Sequence, residues 1–350
     1  MTIRDVAKYA KVSPATVSNV INGTKYVSDD LKERVNKAIC DLDFQVDYAA
    51  SIMKKSTTHT IGVILPTLNL VFTSQVINGI QSVISNNNYR IIFYTADNNI
   101  DKEINYVRML TAYRVDGIIV DSIANEDKDA DYLGYLATLH NGNKRIPVVS
   151  IERNFVEHGI HSVHVNNVLG GEIATNHLIE CGCREIAIIT GPTFSDLVID
   201  RIKGYKNILT KHGISFDDEL IIYGDFTPIS GYRAVNHLIK EGLSFDSVFA
   251  CNDEMAVGAL RALLKNGISI PDDVKLIGFD NTFISSIVTP QISTINVPKF
   301  RIGYSAARIL IDLIRKNGHV DGLSCEMPIS VIIRGSTEKG KVDGWELDVW

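Results

Sequence analysis

Carboxylates, amides, an arginine and aromatic rings recur at one kind of place in this chain, at the ends of short apolar runs. Asn69 and Phe72 follow TIGVILP, Asp121 and Ser122 close VDGIIVDS, Glu152 and Arg153 close IPVVSIER, and Phe226 closes LIIYGDF. Asn252 and Asp253 end SVFACND, while Asp280 and Asn281 end VKLIGFDN. Such a set suits a sugar, whose hydroxyls demand paired hydrogen bonds and whose C–H faces stack on flat rings. Each residue also has a plainer competing role. Asn252 and Asp253 could cap the helix that begins at Glu254, and Asp280 could shape a turn. Catalysis is the poorer reading. The chain has no GxGxxG, no GxxxxGK[ST], no GxSxG and no HExxH. Nothing in the sequence fixes two carboxylates at a distance that would hydrolyse a glycoside.

A second constellation lies near the start, in SPATVSNVING at 13–23. Ser13 is a good N-cap, Pro14 suits a first helical turn, and Gly23 suits a stop. Val17, Val20 and Ile21 then face inward, and Ala15, Ser18, Asn19 and Asn22 share the outer face. Before it, Ile3, Val6, Ala7 and Ala10 repeat at helical spacing. After it, Ser28 caps a third helix with Asp29 and Asp30 in its first turn and Leu31, Val35, Ala38, Ile39 and Leu42 on one side. Two short helices with a tight connection and a bracing third form a helix-turn-helix, whose second helix enters a major groove. Small residues permit close approach there, and Asn19 can pair bidentately with adenine. A small helical domain with a polar surface is the competing reading.

Charge supports the first reading weakly. Residues 1–59 hold nine Lys and Arg against seven Asp and Glu, a net of +2 on a chain whose total is −6, which leaves −8 for the rest. A mildly basic head on an acidic body implies that the head meets a polyanion. The segment DYAASIMKKSTTHT (47–60) is helix-prone but too short to be stable alone in water. Met53 stands out there as an apolar side chain able to wedge between base steps in a minor groove; an inert linker is the alternative.

From Thr60 onward, β-branched runs alternate with amphipathic stretches such as EMAVGALRALLKNG (254–267), which predicts parallel sheets covered on both faces. Eight such runs with a softer region near 155–170 suggest two lobes, and a single (β/α) barrel competes. A length of 350 residues with 45% hydrophobic and 22% charged residues fits a globular protein of two or three domains. The five cysteines (40, 181, 183, 251, 325) are scattered, and CGC at 181–183 lacks a second ligand pair, so they read as thiols rather than a zinc site. No apolar run spans a bilayer, and MTIRDVAKYA lacks the apolar core of a secretory signal, so a cytoplasmic protein with no membrane partner is expected.

With these pieces in place, the chain resembles the lactose-repressor family of bacterial transcription regulators. TIRDVAKYAKVSPATVSNVINGTKYVS closely matches the N-terminal signature of that family. The likeness continues through PTLNLVFTSQVINGI, VDGIIV, DRIKGY, CNDEMAVGAL, LIGFDN and PISVIIRGST, and covers residues 2–338. It implies a small all-α helix-turn-helix head at 1–46, a hinge helix at 47–59, and an α/β two-lobed core at 60–338. That core would be similar to periplasmic sugar-binding proteins, with doubly wound parallel sheets. Its first lobe is expected at about 60–160 plus 292–322, its second at about 161–291 plus 323–338, and a tail at 339–350.

The resemblance places base reading on Pro14, Ala15 and Asn19, and phosphate contacts on Ser13, Thr16, Ser18 and Asn22, with Thr2 and Lys54 completing the DNA-contacting set. Many members carry Arg where this chain has Asn19, which points to an adenine at that step. Met53 stands at the place of the usual leucine wedge, and Ser51 replaces an Arg before it. In the core, Arg201 matches the Arg that forks onto effector hydroxyls, Asp280 its acidic partner, Asn252 its amide and Phe226 a stacking ring. Phe72 and Thr73 match near-lobe contacts, although NLVF replaces the more usual NPFF. Glu152 stands where Asp is common, and Asp121 joins the set from the strand ends.

The implied partners are double-stranded DNA with a near-palindromic operator, a small sugar-like effector in place of any cofactor, and a second copy of the chain. The tail GKVDGWELDVW is short and acidic rather than a Leu-rich heptad, which favours a dimer over a tetramer. The expected function is repression of carbohydrate genes, with control by a phosphorylated carrier protein or by a purine-like corepressor as alternatives. Methionine is more flexible than leucine. Met53→Leu should therefore sharpen discrimination at the central base step of the operator, measured by fluorescence anisotropy on step variants. Unchanged discrimination would refute the wedge.

Overall fold

The computed structural model describes residues 1–22, 25–44, 57–68, 70–192, 195–316 and 322–341. The chain divides into two compact units, Met1–Thr58 and His59–Trp350. The expected contacts Met53 and Lys54, the position Asn69 and most of the expected hinge lie outside the described residues, as does the side chain of Asn22.

The head consists of α1 (Ile3–Ala10), α2 (Pro14–Asn22) and α3 (Asp29–Asp41), where the apolar spacing puts them; Ser28 stands at the N-cap position of α3, but its side chain makes no capping hydrogen bond. Its core is Val6, Ala7, Ala10, Val17, Val35 and Ala38, with Val20, Ile21, Ile39 and Leu42 packed around it. Arg34 of α3 donates through Nη2 to the carbonyls of Ala10 (2.8 Å) and Lys11 (3.2 Å). That contact satisfies the end of α1, whose last carbonyls have no helical partner.

The second unit holds two six-stranded sheets. Its elements begin with β1 (Thr60–Leu65), α4 (Val71–Asn86), β2 (Arg90–Thr95), α5 (Ile100–Ala112), β3 (Gly117–Val120) and α6 (Ala130–Ala137). A small hairpin, β4 (His140–Asn141) and β5 (Lys144–Arg145), precedes β6 (Val148–Ile151), β7 (His161–Val165), α7 (Asn167–Glu180), β8 (Ile186–Thr190) and α8 (Asp196–Lys211). There follow β9 (Ile221–Tyr223), α9 (Pro228–Lys240), β10 (Ser247–Ala250), α10 (Asp253–Lys265), β11 (Lys275–Asp280) and the short α11 (Ile284–Ile287). The series closes with β12 (Ser293–Asn296), α12 (Lys299–Arg315), β13 (Ser324–Met327) and β14 (Ser330–Ile332).

The first sheet runs β13-β7-β6-β3-β1-β2 and its pairings are parallel. The second runs β14-β12-β11-β10-β8-β9, with only β14 antiparallel to its neighbour. Two open sheets replace the barrel alternative. Side chains alternate across the first sheet as the pleat requires: Val63, Leu65, Ile119 and Val149 join the core on the side of α4 and α12, and Ile64, Ile118, Val120 and Val148 join that of α5 and α6. No helix among the described residues is long and apolar enough to cross a membrane.

The lobe boundaries need correction. The expected switch at 160/161 falls too early, because β7 (His161–Val165) pairs with β6 in the first sheet. The expected return at 292 also comes too early, since β12 pairs with β11 in the second sheet. The last switch, expected at 323, follows β13, which pairs with β7. The chain thus crosses between lobes only after a strand is complete. HSVHV, STIN and SCEM mix polar and apolar residues and escape a search for apolar runs.

Glycines set the spacing of three helix pairs. A Cβ on Gly303 of α12 would sit 2.0 Å from the Val76 carbonyl oxygen of α4, and one on Gly79 of α4 would sit 2.2 Å from that of Phe300. Gly171 and Gly204 do the same for α7 and α8, and Gly231 and Gly258 for α9 and α10. Backbone cannot yield as a side-chain tip can, so the pairs must separate to admit a methyl group. Gly303→Ala should cost about 1–3 kcal/mol, the usual penalty of overpacking. Gly134→Ala, on α6 with open space around it, should be neutral or stabilising by a few tenths of a kcal/mol. Urea unfolding of the two variants checks the contrast.

Candidate functional site

In the head, the groove-facing reading rests on α2. The Ser13 hydroxyl accepts from the Thr16 amide (3.1 Å) and bonds the Thr16 hydroxyl (2.9 Å), so the expected cap forms. Val17 is fully buried, whereas Ser13, Pro14 and Ala15 are exposed and Thr16, Ser18 and Asn19 are half-buried. The helix therefore presents small side chains outward while its valine anchors it. Thr2 has a local task as well: its amide (2.8 Å) and its hydroxyl (2.9 Å) both donate to the Asp5 carboxylate, which starts α1. Those two bonds hold the Asp5 carboxyl below its ordinary value.

In the second unit, the ends of parallel strands face one cleft between the lobes. A cavity of about 320 Å³ lies there, and Phe72, Thr73, Asp121, Glu152, Arg201, Phe226, Asn252 and Asp280 all line it. These are the eight positions read from the sequence, brought together from seven separate elements and loops. Pro66, Asn98, Ser195, Leu197 and Thr227 also line the cavity and were not singled out by the sequence.

Backbone strain concentrates at this place. Glu152 (φ 66°), Phe226 (φ 66°) and Asp280 (φ 98°) all occupy the left-handed region, which costs side-chain-bearing residues on the order of 1–3 kcal/mol each. The ring of Phe226 lies on Gly191, where a Cβ would meet it at 2.1 Å, so that glycine makes room for the aromatic wall.

Arg201 is buried, donates through Nε to Asn167 (2.9 Å) and through Nη1 to the Cys251 carbonyl, and lies 3.7 Å over the Phe279 ring. Two of its five N–H groups are used in this way, and it forms no ion pair with Asp280. Asn252 has the capping role that competed with ligand binding. Its Oδ1 accepts from the Met255 amide (2.8 Å) and its Nδ2 donates to the Phe226 carbonyl (2.9 Å), so it positions the Phe226 loop from the cavity wall. Asp253 turns away into a buried network with Thr282 and Thr294.

The sequence reading missed Lys299, a lone cation in VPKF that carries no motif. Its buried ammonium donates to the carbonyls of Asp280, Asn281 (2.9 Å) and Val297 (3.2 Å). The reading also missed contacts that bridge the lobes. Arg153 pairs with Asp196, which also accepts from Asn125 (3.2 Å), and Glu254 accepts from the Val71 amide (2.9 Å) at the start of α4.

Burial shapes the electrostatics. It pushes Asp121 up to about 7, with Glu103 adding repulsion and Arg153 opposing. It pushes Glu152 up to about 8, with Asp121 and Asp280 adding repulsion and Arg201 and Lys299 opposing. Glu254 rises to about 7 for the same reasons. Glu152 Oε1 and Glu254 Oε2 are buried with no hydrogen-bond partner. Such groups bind a proton more tightly in the folded chain than in the unfolded one. Their stabilising contribution is complete below the ordinary carboxylate value and is lost as pH rises through the folded value. For Glu152 that window runs from 4.5 to about 8. Glu152→Gln, a neutral mimic, should melt close to the wild type at about pH 5 and a few degrees higher at about pH 8.5. Parallel melting curves across that range would contradict the shift.

Two family models match the chain: bacterial regulatory proteins of the lacI family over residues 2–47, and a periplasmic binding protein-like domain over residues 175–337. Among curated relatives, the HTH-type transcriptional repressor PurR of Vibrio atlanticus is 34% identical over 318 residues, covering 91% of this chain and 93% of that protein. The ribose operon repressor of Halalkalibacterium halodurans is 31% identical over 340 residues, covering 97% and 98%. Among solved structures, the lac repressor dimer bound to operator and the anti-inducer ONPF superposes with a TM-score of 0.83 at 26% identity, covering 96% of this chain and 99% of that one.

Proposed function

The chain belongs to the lacI family of bacterial regulatory proteins and is a DNA-binding transcriptional repressor rather than an enzyme, and on that premise we propose that a sugar-like effector in the interlobe cleft sets its operator affinity. It acts as a homodimer, with the two heads reading the two halves of a near-palindromic operator in the cytoplasm. Base reading falls to Pro14, Ala15 and Asn19, with Asn19 pairing to adenine. The segment 47–59 carries Met53 and Lys54 to the minor groove.

One observation supports the effector reading above the rest. Phe72, Thr73, Asp121 and Glu152 come from the first lobe, Arg201, Phe226, Asn252 and Asp280 from the second, and all line one cavity. A ligand touching both groups has a binding energy that depends on how the lobes lie. It therefore shifts the population of lobe arrangements, which the hinge segments relay to the heads. Carboxylates, a guanidinium and two rings match a polyhydroxylated ring. The rings of Phe72 and Phe226 also favour a second reading, a purine-like corepressor stacked between flat side chains.

Thermal unfolding against sugars, sugar phosphates and purines separates the two. A ligand at about 100 times its dissociation constant stabilises by roughly 2.7 kcal/mol, a rise of a few degrees. A sugar hit that disappears in Arg201→Ala is the expected result. A purine hit transfers the cleft to the second reading, and silence across the panel counts against both.

A further inference from the structure

Glu103 is not among the residues that line the cleft, yet it holds part of the wall. It stands on α5 and is fully buried. Its Oε1 accepts from the hydroxyls of Ser122 (2.6 Å) and Tyr132 (2.9 Å), and its Oε2 accepts from the Ile123 amide (3.0 Å). Two of these donors belong to the loop that leaves β3, where Asp121, Ser122 and Ile123 line the cavity. That loop has no regular structure, and side chains satisfy its backbone. The Asp121 amide still bonds in the manner of the sheet, to the Ile64 carbonyl (2.9 Å). Beyond it the Ile123 amide goes to Glu103, the Ala124 amide to the Ser122 hydroxyl (3.1 Å), and the Asn125 amide to Asp129 (2.8 Å). Glu103 also holds that Ser122 hydroxyl, so two of the three amides depend on one carboxylate. A buried amide without a partner is costly, which ties the path of the loop to Glu103. Burying a carboxylate is costly too. Among neighbours such as Val107, Leu110, Val120 and Leu133, a leucine would serve packing better, and what the carboxylate adds is its hold on the loop.

We propose, resting on the cleft reading above, that Glu103 is a positioning residue of the effector site: through Ser122 and Ile123 it fixes the wall that carries Asp121, and so sets how that carboxyl meets the effector. Charge acts in the same direction. Burial pushes Asp121 up to about 7, Glu103 adds repulsion, and Arg153 opposes. Glu152 is a further carboxylate coupled to Asp121. Burial raises Glu103 itself, its three donors oppose the rise, and Asp129 adds to it. Asp121 thus changes near neutral pH between a group that donates a hydrogen bond and one that only accepts. Glu103 biases it toward the donor.

Two variants separate place from charge. In Glu103→Gln the amide oxygen can accept from Ile123 while its NH2 donates to the Ser122 and Tyr132 hydroxyls, which turn to accept. The wall stays and the charge goes. In Glu103→Leu the Ile123 amide and the Ser122 hydroxyl lose their acceptor, and the wall is released.

The test combines two measurements on the full chain. One is carbon-13 NMR of the aspartate carboxyls, with Asp121 assigned by the resonance lost in Asp121→Asn. The other is titration calorimetry across pH with ribose, galactose, glucose 6-phosphate and hypoxanthine. In Glu103→Gln the Asp121 midpoint should fall by roughly one pH unit, the effect of removing a nearby like charge. The pH at which the affinity of a binding compound changes should fall with it. In Glu103→Leu that affinity should drop roughly tenfold, about 1.4 kcal/mol, and Glu103→Gln should restore most of it at matched charge of Asp121. Leu110→Val, about two turns further along α5, loosens the same core and should move neither readout. An unmoved Asp121 midpoint in Glu103→Gln, or wild-type affinity in Glu103→Leu, overturns the proposal and leaves the cleft reading intact. Glu103→Gln decides even where Glu103→Leu does not fold. Silence of all four compounds on the wild type overturns the proposal and counts against the cleft reading with it.

Discussion

The buried ammonium of Lys299 is the interaction around which the cleft is built. It stands at the first residue of α12, immediately after the chain crosses back to the first lobe, and its three hydrogen bonds reach the carbonyls of Asp280, Asn281 and Val297. Asp280 and Asn281 both have positive φ, so the end of β11 turns its carbonyls away from the sheet ladder and needs a donor there. The same charge attracts Asp280, Asp253, Glu152 and Glu254. Desolvation works against it and lowers the lysine below its ordinary value, yet four carboxylates and three carbonyls oppose that loss. Removing one partner of such a buried set typically costs about 3–5 kcal/mol, because the remaining charges stay buried. An acidic cleft is tolerable here because one cation lies beneath it.

Contacts across the cleft are of two kinds. Arg153, Asn125 and Asp196 form one bridge, and Glu254 with the Val71 amide forms the other. The second places a carboxylate at the start of a sixteen-residue helix, where free amides and the helix dipole favour negative charge. Both bridges are made by the chain's own groups, so this arrangement of the lobes has internal support. An effector changes the balance only through contacts it makes better in one arrangement than in another. Glu152 and Glu254, each with an unsatisfied buried oxygen, are the places where such differences are largest, since an unmade hydrogen bond costs more than an ordinary one contributes.

What the sequence disclosed follows from what each element needed. The three head helices were legible because apolar residues recur at helical spacing in each, and Ser13 with Pro14 marks the start of the second. Six of the eight positions that line the cavity were legible because parallel strands deliver their carboxyl ends to one side, so a polar or aromatic residue after an apolar run stands out; Thr73 and Arg201, which lie on helices, came only through the family resemblance. Lobe boundaries were not legible to the residue, since β7, β12 and β13 are short strands of mixed polarity whose partners are distant in sequence. Lys299 left no signal: a lysine after a proline reads as surface, and only the geometry of β11 explains its burial. Asn252 was legible as two competing roles, and the structure assigns both ends of its amide to the fold.

Rigidity within each lobe gives these interactions their reach. Gly79 and Gly303 bring α4 and α12 into backbone contact, and Gly171 with Gly204 and Gly231 with Gly258 do so for two further pairs. Helices packed that closely have little room to slide, because dense interiors have discrete arrangements rather than a continuum. A ligand cannot therefore be accommodated by loosening one lobe. The remaining freedom lies at the three crossings, after β7, after β12 and between β13 and β14. Lys299 stands beside the second crossing, and Glu152 follows β6, the strand paired with the β7 that precedes the first. Charge at the cleft and the crossings between lobes thus lie close together, so a change in one is felt at the other.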